Sequence, residues 1–293
     1  MTIRSRRSAA WALALGLIAL AGCNSLQLWP GSGDKAERAA IPPLPSKHSF
    51  PVSQFVFVSD FEVQRRLPIF QELTDLREQV YKELRLPPSS TKVLVYLFED
   101  QDRYERFMKA KYPELPRRRA FFLAQPRRLG GNEDLLVYTF WGARVNQDLR
   151  HELTHALLHS VLKDVPLWLD EGLAEYFEIP PSWNGVNIYH VEQLRKPDTQ
   201  FDLARLESLT DVQQMTPGEY REAWAWTHMM LRSTPQARQV LLNYLQELRS
   251  SPQPGPLRPR LAAALQPPES ALQQHLSMLG DRQHARAHPA PLP

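Results

Sequence analysis

Beyond residue 50 the hydrophobic positions fall into two regimes, one of period two and one near 3.6. Residues 55–58, FVFV, and 92–98, KVLVYLF, are short β-branched and aromatic runs that predict strands. Between them, Val63 to Leu86 carries Leu67, Phe70, Leu73, Leu76, Val80 and Leu84 at helical spacing, and Pro87-Pro88 stops that helix. A shorter helix is expected at 101–110. Residues 119–126 and 135–141 are two further strand-like runs, with Gly130-Gly131-Asn132 between them as the turn of a β-hairpin. From Asn146 onward the pattern is helical, at about 147–163, 168–178, 216–232, 235–249 and 268–279. No internal repeat is visible. Strands with early helices, then helices alone, predict an α+β fold: a small N-terminal mixed sheet followed by a mostly helical C-terminal part around one composite core.

The segment before this pattern reads as an address. Arg4, Arg6 and Arg7 precede the short apolar run 9–21, AAWALALGLIALA, which is too short for a finished membrane span and fits a secretory signal. It ends in Leu20-Ala21-Gly22-Cys23, which resembles a bacterial lipobox. That resemblance implies cleavage before Cys23, lipidation of its thiol and a membrane anchor. It also implies, through Asn24 in place of an aspartate, onward transport to the outer membrane with the protein facing the periplasm. Residues 24–47 are rich in Gly, Pro, Ser and charge and have no apolar period, as expected of a tether. The expected organisation is therefore a signal at 1–22, a lipidated Cys and tether at 23–47, a single domain at 48–280 and a frayed tail at 281–293.

Charge changes this picture little. The chain has 293 residues and a formal net charge of +3, and the three arginines of the signal account for that whole excess. A balanced domain lacks the cationic field that phosphate binding needs, so nucleic acid is not an expected partner. One cysteine excludes an internal disulfide framework and any multi-cysteine zinc knuckle.

The chemistry concentrates between His151 and Tyr176. Residues 151–155 read HELTH, and Val145, Leu149, Leu153, Leu157, Leu158 and Val161 around them predict a buried helix. His151 and His155 lie one turn apart on one face, where two imidazoles can meet one tetrahedral metal at about 2.0–2.1 Å each. Glu152 is rotated off that line, where its carboxylate can take a proton from water activated by the metal. After Pro166 a second helix opens with WLDEGLAEYF. A return helix can bring Glu171 back to the two imidazoles as third ligand. The small Gly172 and Ala174 allow the two helices to approach closely. Glu175, one turn on, is placed to accept the free ring N–H of a ligating histidine.

HELTH followed by EGLAEYF resembles the gluzincin zinc metallopeptidases, and Phe55 to about Leu279 is similar in pattern to the peptidase MA-like (zincin-like) domains of exported bacterial proteins. The resemblance implies Zn2+ held by His151, His155 and Glu171, with Glu152 as general base and acid. The spacing to Glu171 is shorter than in thermolysin or the gluzincin aminopeptidases, so substrate rules do not transfer. Gluzincins also supply a Tyr or His from a later helix to steady the oxyanion. The run from Tyr220 through Trp224 to His228 makes Tyr220 the candidate and His228 the reserve; the other reading of Tyr220 and Trp224 is as core partners. In such enzymes an edge strand before the HExxH helix pairs with an extended peptide, which would make Leu135, Val137 and Thr139 substrate-binding; an interior strand is the alternative.

Other features receive plainer readings. His159 is expected in the core or behind the ligands, because a fourth histidine would close the open coordination position. Arg117–Arg119 and Arg127-Arg128 read as solvated, Trp224 and Trp226 as core, and His284 and His288 as tail residues. Two function classes stand: a lipid-anchored zinc peptidase acting on peptide or protein substrates, and a non-catalytic zinc-stabilised envelope lipoprotein that binds peptides or partner proteins. Neither exo- nor endo-cleavage is specified.

Overall fold

A computed structural model describes residues 41–125, 133–162, 164–251 and 253–287 of the chain, with side chains to Leu279. The signal, Cys23, Asn24, the Gly130-Gly131-Asn132 turn, Arg127-Arg128, His288 and the side chain of His284 lie outside the described part. The strands are β1 (His48–Val52), β2 (Phe55–Ser59), β3 (Val93–Phe98), β4 (Ala120–Gln125) and β5 (Asp134–Phe140). The helices are α1 (Pro68–Glu83), α2 (Gln101–Lys111), α3 (Val145–His159), α4 (Leu167–Phe177), α5 (Ile188–Leu194), α6 (Leu203–Ser208), α7 (Pro217–Arg232), α8 (Pro235–Ser250), α9 (Arg258–Ala264) and α10 (Pro268–Ala287). The α+β class and the order of sheet then helices are as expected. The sheet has five strands rather than four, because HSFPV at the front forms β1.

The strands pair in the order β1-β2-β3-β5-β4. β2, β3 and β5 are parallel, and β1 and β4 run antiparallel at the two ends. Register sorts the side chains. Phe50, Phe57, Val95, Val137 and Phe122 are successive cross-strand partners, and all five face the larger core with α1, α3 and α4. Tyr96, Tyr138 and Phe121, one residue out of phase, face a smaller aromatic core under α2. A one-residue slip would exchange the two sets, so the alternation itself fixes the register.

β5 is an interior strand, hydrogen-bonded to β3 on one side and β4 on the other. The expectation of an edge strand immediately before the HExxH helix is therefore corrected. Leu135 and Val137 lie in the large core, Thr139 is fully buried, and their strand has no free main-chain edge. β4 occupies the edge instead: AFFLAQ is buried on both faces yet has a strand partner on one side only among the described residues.

Candidate metal centre

α3 turns an apolar face to the sheet. Leu149, Leu153, Ala156 and Leu157 are wholly buried, which leaves His151 and His155 on an adjoining face toward α4. Pro166 precedes α4 and cannot extend α3, so the chain reverses there. Trp168, Leu169, Leu173 and Phe177 bury most of α4, and its acids Asp170 and Glu171 are buried with them. Gly172 faces α7 rather than α3. A methyl there would stand 2.5 Å from both the Ala223 carbonyl oxygen and the Thr227 hydroxyl, so only glycine permits this helix contact.

The return helix brings Glu171 to the two histidines. His151 Nε2 and His155 Nε2 are 3.3 Å apart, and Glu171 Oε2 is 3.6 and 3.7 Å from them. Ligands held tetrahedrally at about 2.0–2.1 Å from a metal stand about 3.3–3.4 Å apart, so the triangle needs little contraction to hold one ion. Glu171 is fully buried, and neither carboxylate oxygen has a hydrogen-bond partner. A buried carboxylate without donors is costly unless a cation meets it. Two imidazoles and this carboxylate therefore fit a divalent metal. Glu152 lies beside them on α3, 5% exposed.

The outer nitrogens are also occupied. His151 Nδ1 lies 2.9 Å from Glu178 Oε2, and His155 Nδ1 lies 3.0 Å from Asp170 Oδ1. A carboxylate at one ring nitrogen holds the proton there and leaves the other nitrogen its lone pair. Asp170 also meets His159 Nε2 at 3.0 Å, which places His159 behind the ligands. Burial alone would raise the Asp170 carboxyl, but the two imidazoles hold it well below the usual range. Burial and the neighbouring Glu175 push Glu178 the other way, upward.

Glu175 does not take the expected role. It pairs with His190 Nε2 at 2.9 Å, and Glu178 stands at the ligand histidine instead. The helical wheel explains this. Seven residues past Glu171 is about 20° from its azimuth, whereas four residues past is about 40° away.

Arg150, next to the motif and 2% exposed, was not singled out from the sequence. Its guanidinium donates to the carbonyls of Phe177 at 2.8 Å, Glu178 at 3.2 Å and Ile179 at 3.2 Å. It satisfies the unpaired carbonyls at the end of α4 and fixes Glu178 beside His151.

The later helix brings in Tyr220. Thr216 and Glu219 form a capping box with Pro217 at the first position, so α7 starts just before it. Arg118 Nη2 donates to Tyr220 Oη at 2.7 Å, and its guanidinium lies 5.5 Å above the same ring. Burial raises the Tyr220 hydroxyl, and the charge of Glu171 adds to the rise. Burial opposes the charge of Arg118, but Tyr220, Glu171 and Glu152 together hold its pKa above the ordinary value. Arg118 is thus not the solvated residue expected.

His228 is placed elsewhere. Its Nδ1 lies 2.8 Å from His275 Nε2, and its ring packs on Tyr176 and Trp224. It joins none of the three candidate ligands. Trp224 and Trp226 are wholly buried, and the Trp224 indole donates to the Gly185 carbonyl at 2.9 Å.

Residues 146–254 match the family described as Protein of unknown function (DUF1570). The match runs from the first turn of α3 past α8, so it takes in both ligand-bearing helices and α7 and leaves out the sheet. No curated protein matches the chain.

Proposed function

We propose that the protein is a zinc peptidase of the gluzincin type, anchored by lipid on Cys23 and acting on peptide bonds in the cell envelope. One observation carries this reading: three metal-ligating atoms in a triangle of 3.3, 3.6 and 3.7 Å, one of them on a buried carboxylate without a hydrogen bond. His151, His155 and Glu171 hold the ion. Zn2+ bound there supplies Lewis acidity, which acidifies water to a pKa of about 7 and polarises a carbonyl.

The chain's own groups do the rest. Glu152 takes one proton from the attacking water as the C–O bond forms and passes it to the leaving amine as the C–N bond breaks. Arg118 donates to the Tyr220 oxygen, so the hydroxyl's own hydrogen must point elsewhere, toward the acceptor that develops on the substrate. The main-chain edge of β4 offers an extended peptide its pairing surface. Among the described residues no helix is long and apolar enough to cross a membrane, and the anchoring role rests on the lipobox-like segment.

Metal analysis of the full chain, purified without chelator, tests the reading. About one zinc per chain is expected, with loss in Glu171→Ala. Glu152→Gln should keep the zinc and lose hydrolysis of a peptide library by at least about a hundredfold. No zinc, or zinc indifferent to Glu171→Ala, removes the centre. Zinc present with no hydrolysis in wild type leaves the peptide-binding lipoprotein.

A further inference from the structure

Three consecutive arginines lead into β4, and their surroundings differ. Arg117 is ion-paired with Glu105, and Arg119 with Asp148 at 2.8 Å. Arg118, only partly exposed, pairs with no carboxylate within ion-pair distance among the described residues; its guanidinium donates to Tyr220 Oη and lies over that ring. A guanidinium carries five N–H donors in a planar fork, and the Tyr220 oxygen takes one. A partly buried cation with donors to spare can receive an anion.

Arg118 also forms a wall of a cavity of about 410 Å³. Its other walls include Tyr104, Met108, Tyr112, Leu115 and Phe121. The space is at the small end of ligand-binding cavities, which run from about 300 to 1,000 Å³, and suits one large apolar side chain. Arg106, Lys109 and Arg117 also border it, against a single acid, Glu105. A fork for a carboxylate and an apolar cavity therefore share one wall. In the last residue of a peptide, the α-carboxylate and the side chain leave the same carbon, so one residue fills both at once. An acidic side chain would satisfy Arg118 and leave the apolar cavity empty.

We infer that Arg118 receives the free C-terminal carboxylate of the substrate while the adjoining cavity takes the terminal side chain, so that the protein trims peptides from their C-terminus and prefers large apolar terminal residues. This deepens the peptidase reading and rests on it.

The test compares three peptides on the zinc-loaded full chain: one ending in phenylalanine as the free acid, the same peptide as its amide, and an amidated peptide with an internal glutamate. The free acid should show a kcat/KM about ten- to a hundredfold above the amide, the range for a hydrogen-bonded charge. In Arg118→Gln the ratio of acid to amide should fall to about one, whatever the absolute rate. Equilibrium binding to Glu152→Gln gives a second readout, in which the acid should bind about tenfold or more tightly than the amide. Equal cleavage or equal binding of acid and amide overturns the inference and leaves the peptidase reading intact. Preference for the internal glutamate also overturns it. Binding of the acid with no cleavage of any peptide supports the Arg118 site and sinks the peptidase.

Discussion

Two pairs of histidines lie in this molecule with almost the same ring separation, and their surroundings differ. The His151 and His155 centroids are 5.0 Å apart, and those of His228 and His275 are 5.1 Å apart. In the second pair the nitrogens stand 2.8 Å apart, so one ring donates and the other accepts, and that contact needs no cation. In the first, Glu178 and Asp170 sit on the outer nitrogens. The inner nitrogens stand 3.3 Å apart and face the carboxylate of Glu171. With the ring protons on the outer side, the two inner lone pairs and the carboxylate would suit a positive ion. Carboxylates behind the rings, rather than the spacing of the histidines, distinguish the candidate metal centre from the core contact.

The largest test removes the clamp that keeps those carboxylates in place. Arg150→Met strands three carbonyls at the end of α4, and buried unsatisfied acceptors cost about 1–3 kcal/mol each. A loss of about 3 kcal/mol or more is expected in urea unfolding, together with weaker metal retention. Unchanged stability would show that α4 is held by packing alone.

A smaller effect is expected one bond farther out. Asp170→Asn and Glu178→Gln should each weaken metal binding about 10- to 100-fold in competition with a chelator, with the ligands intact. Glu175→Gln, whose partner is His190, should change it less than about threefold. If Glu175 mattered as much as Glu178, the contrast between the two histidine pairs would lose its cause.

The last test concerns the other pair. Burial, with His275 and Arg232 nearby, pushes His228 down to about 3, against an ordinary value near 6.5. Between those values the unfolded chain binds a proton that the folded chain refuses. Stability therefore falls as pH drops below about 6.5, by up to about 1.4 kcal/mol per pH unit. His228→Gln should abolish that share of the slope, sparing about 2 kcal/mol between pH 7 and pH 5 in chelator. Parallel slopes for variant and wild type would exonerate His228.

The long helices and the approximate strands were legible because their apolar residues repeat over several turns or fill a short β-rich run. The triad was legible because its spacing is local: one turn on α3 and one hairpin to α4. Other features depend on contacts that no period records. β5 and β4 both read as continuous apolar runs, since each is buried on two faces, and sequence does not say which has a strand beyond it. α5, α6 and α9 have six or seven residues, too few for a helical repeat to stand out. Arg118 looked like its neighbours because its distinction is Tyr220, 102 positions away. Glu178 lies two turns beyond Glu171 on nearly the same azimuth, a position that helical periodicity alone marks.

The edge of β4 has a further consequence, for solubility. AFFLAQ is a six-residue window without charge or proline, rich in aromatic residues, with a main-chain side that has no strand partner among the described residues. Such a window is a template for a second copy of itself, and chains restrain it with flanking charges. Arg117, Arg118 and Arg119 stand directly before it, and Arg127-Arg128 follow shortly after it in sequence. Two strands laid edge to edge in register would bring these arginine runs together and repel. The basic run thus discourages the protein from stacking on itself, and neutralising it would shorten the shelf life of a concentrated solution.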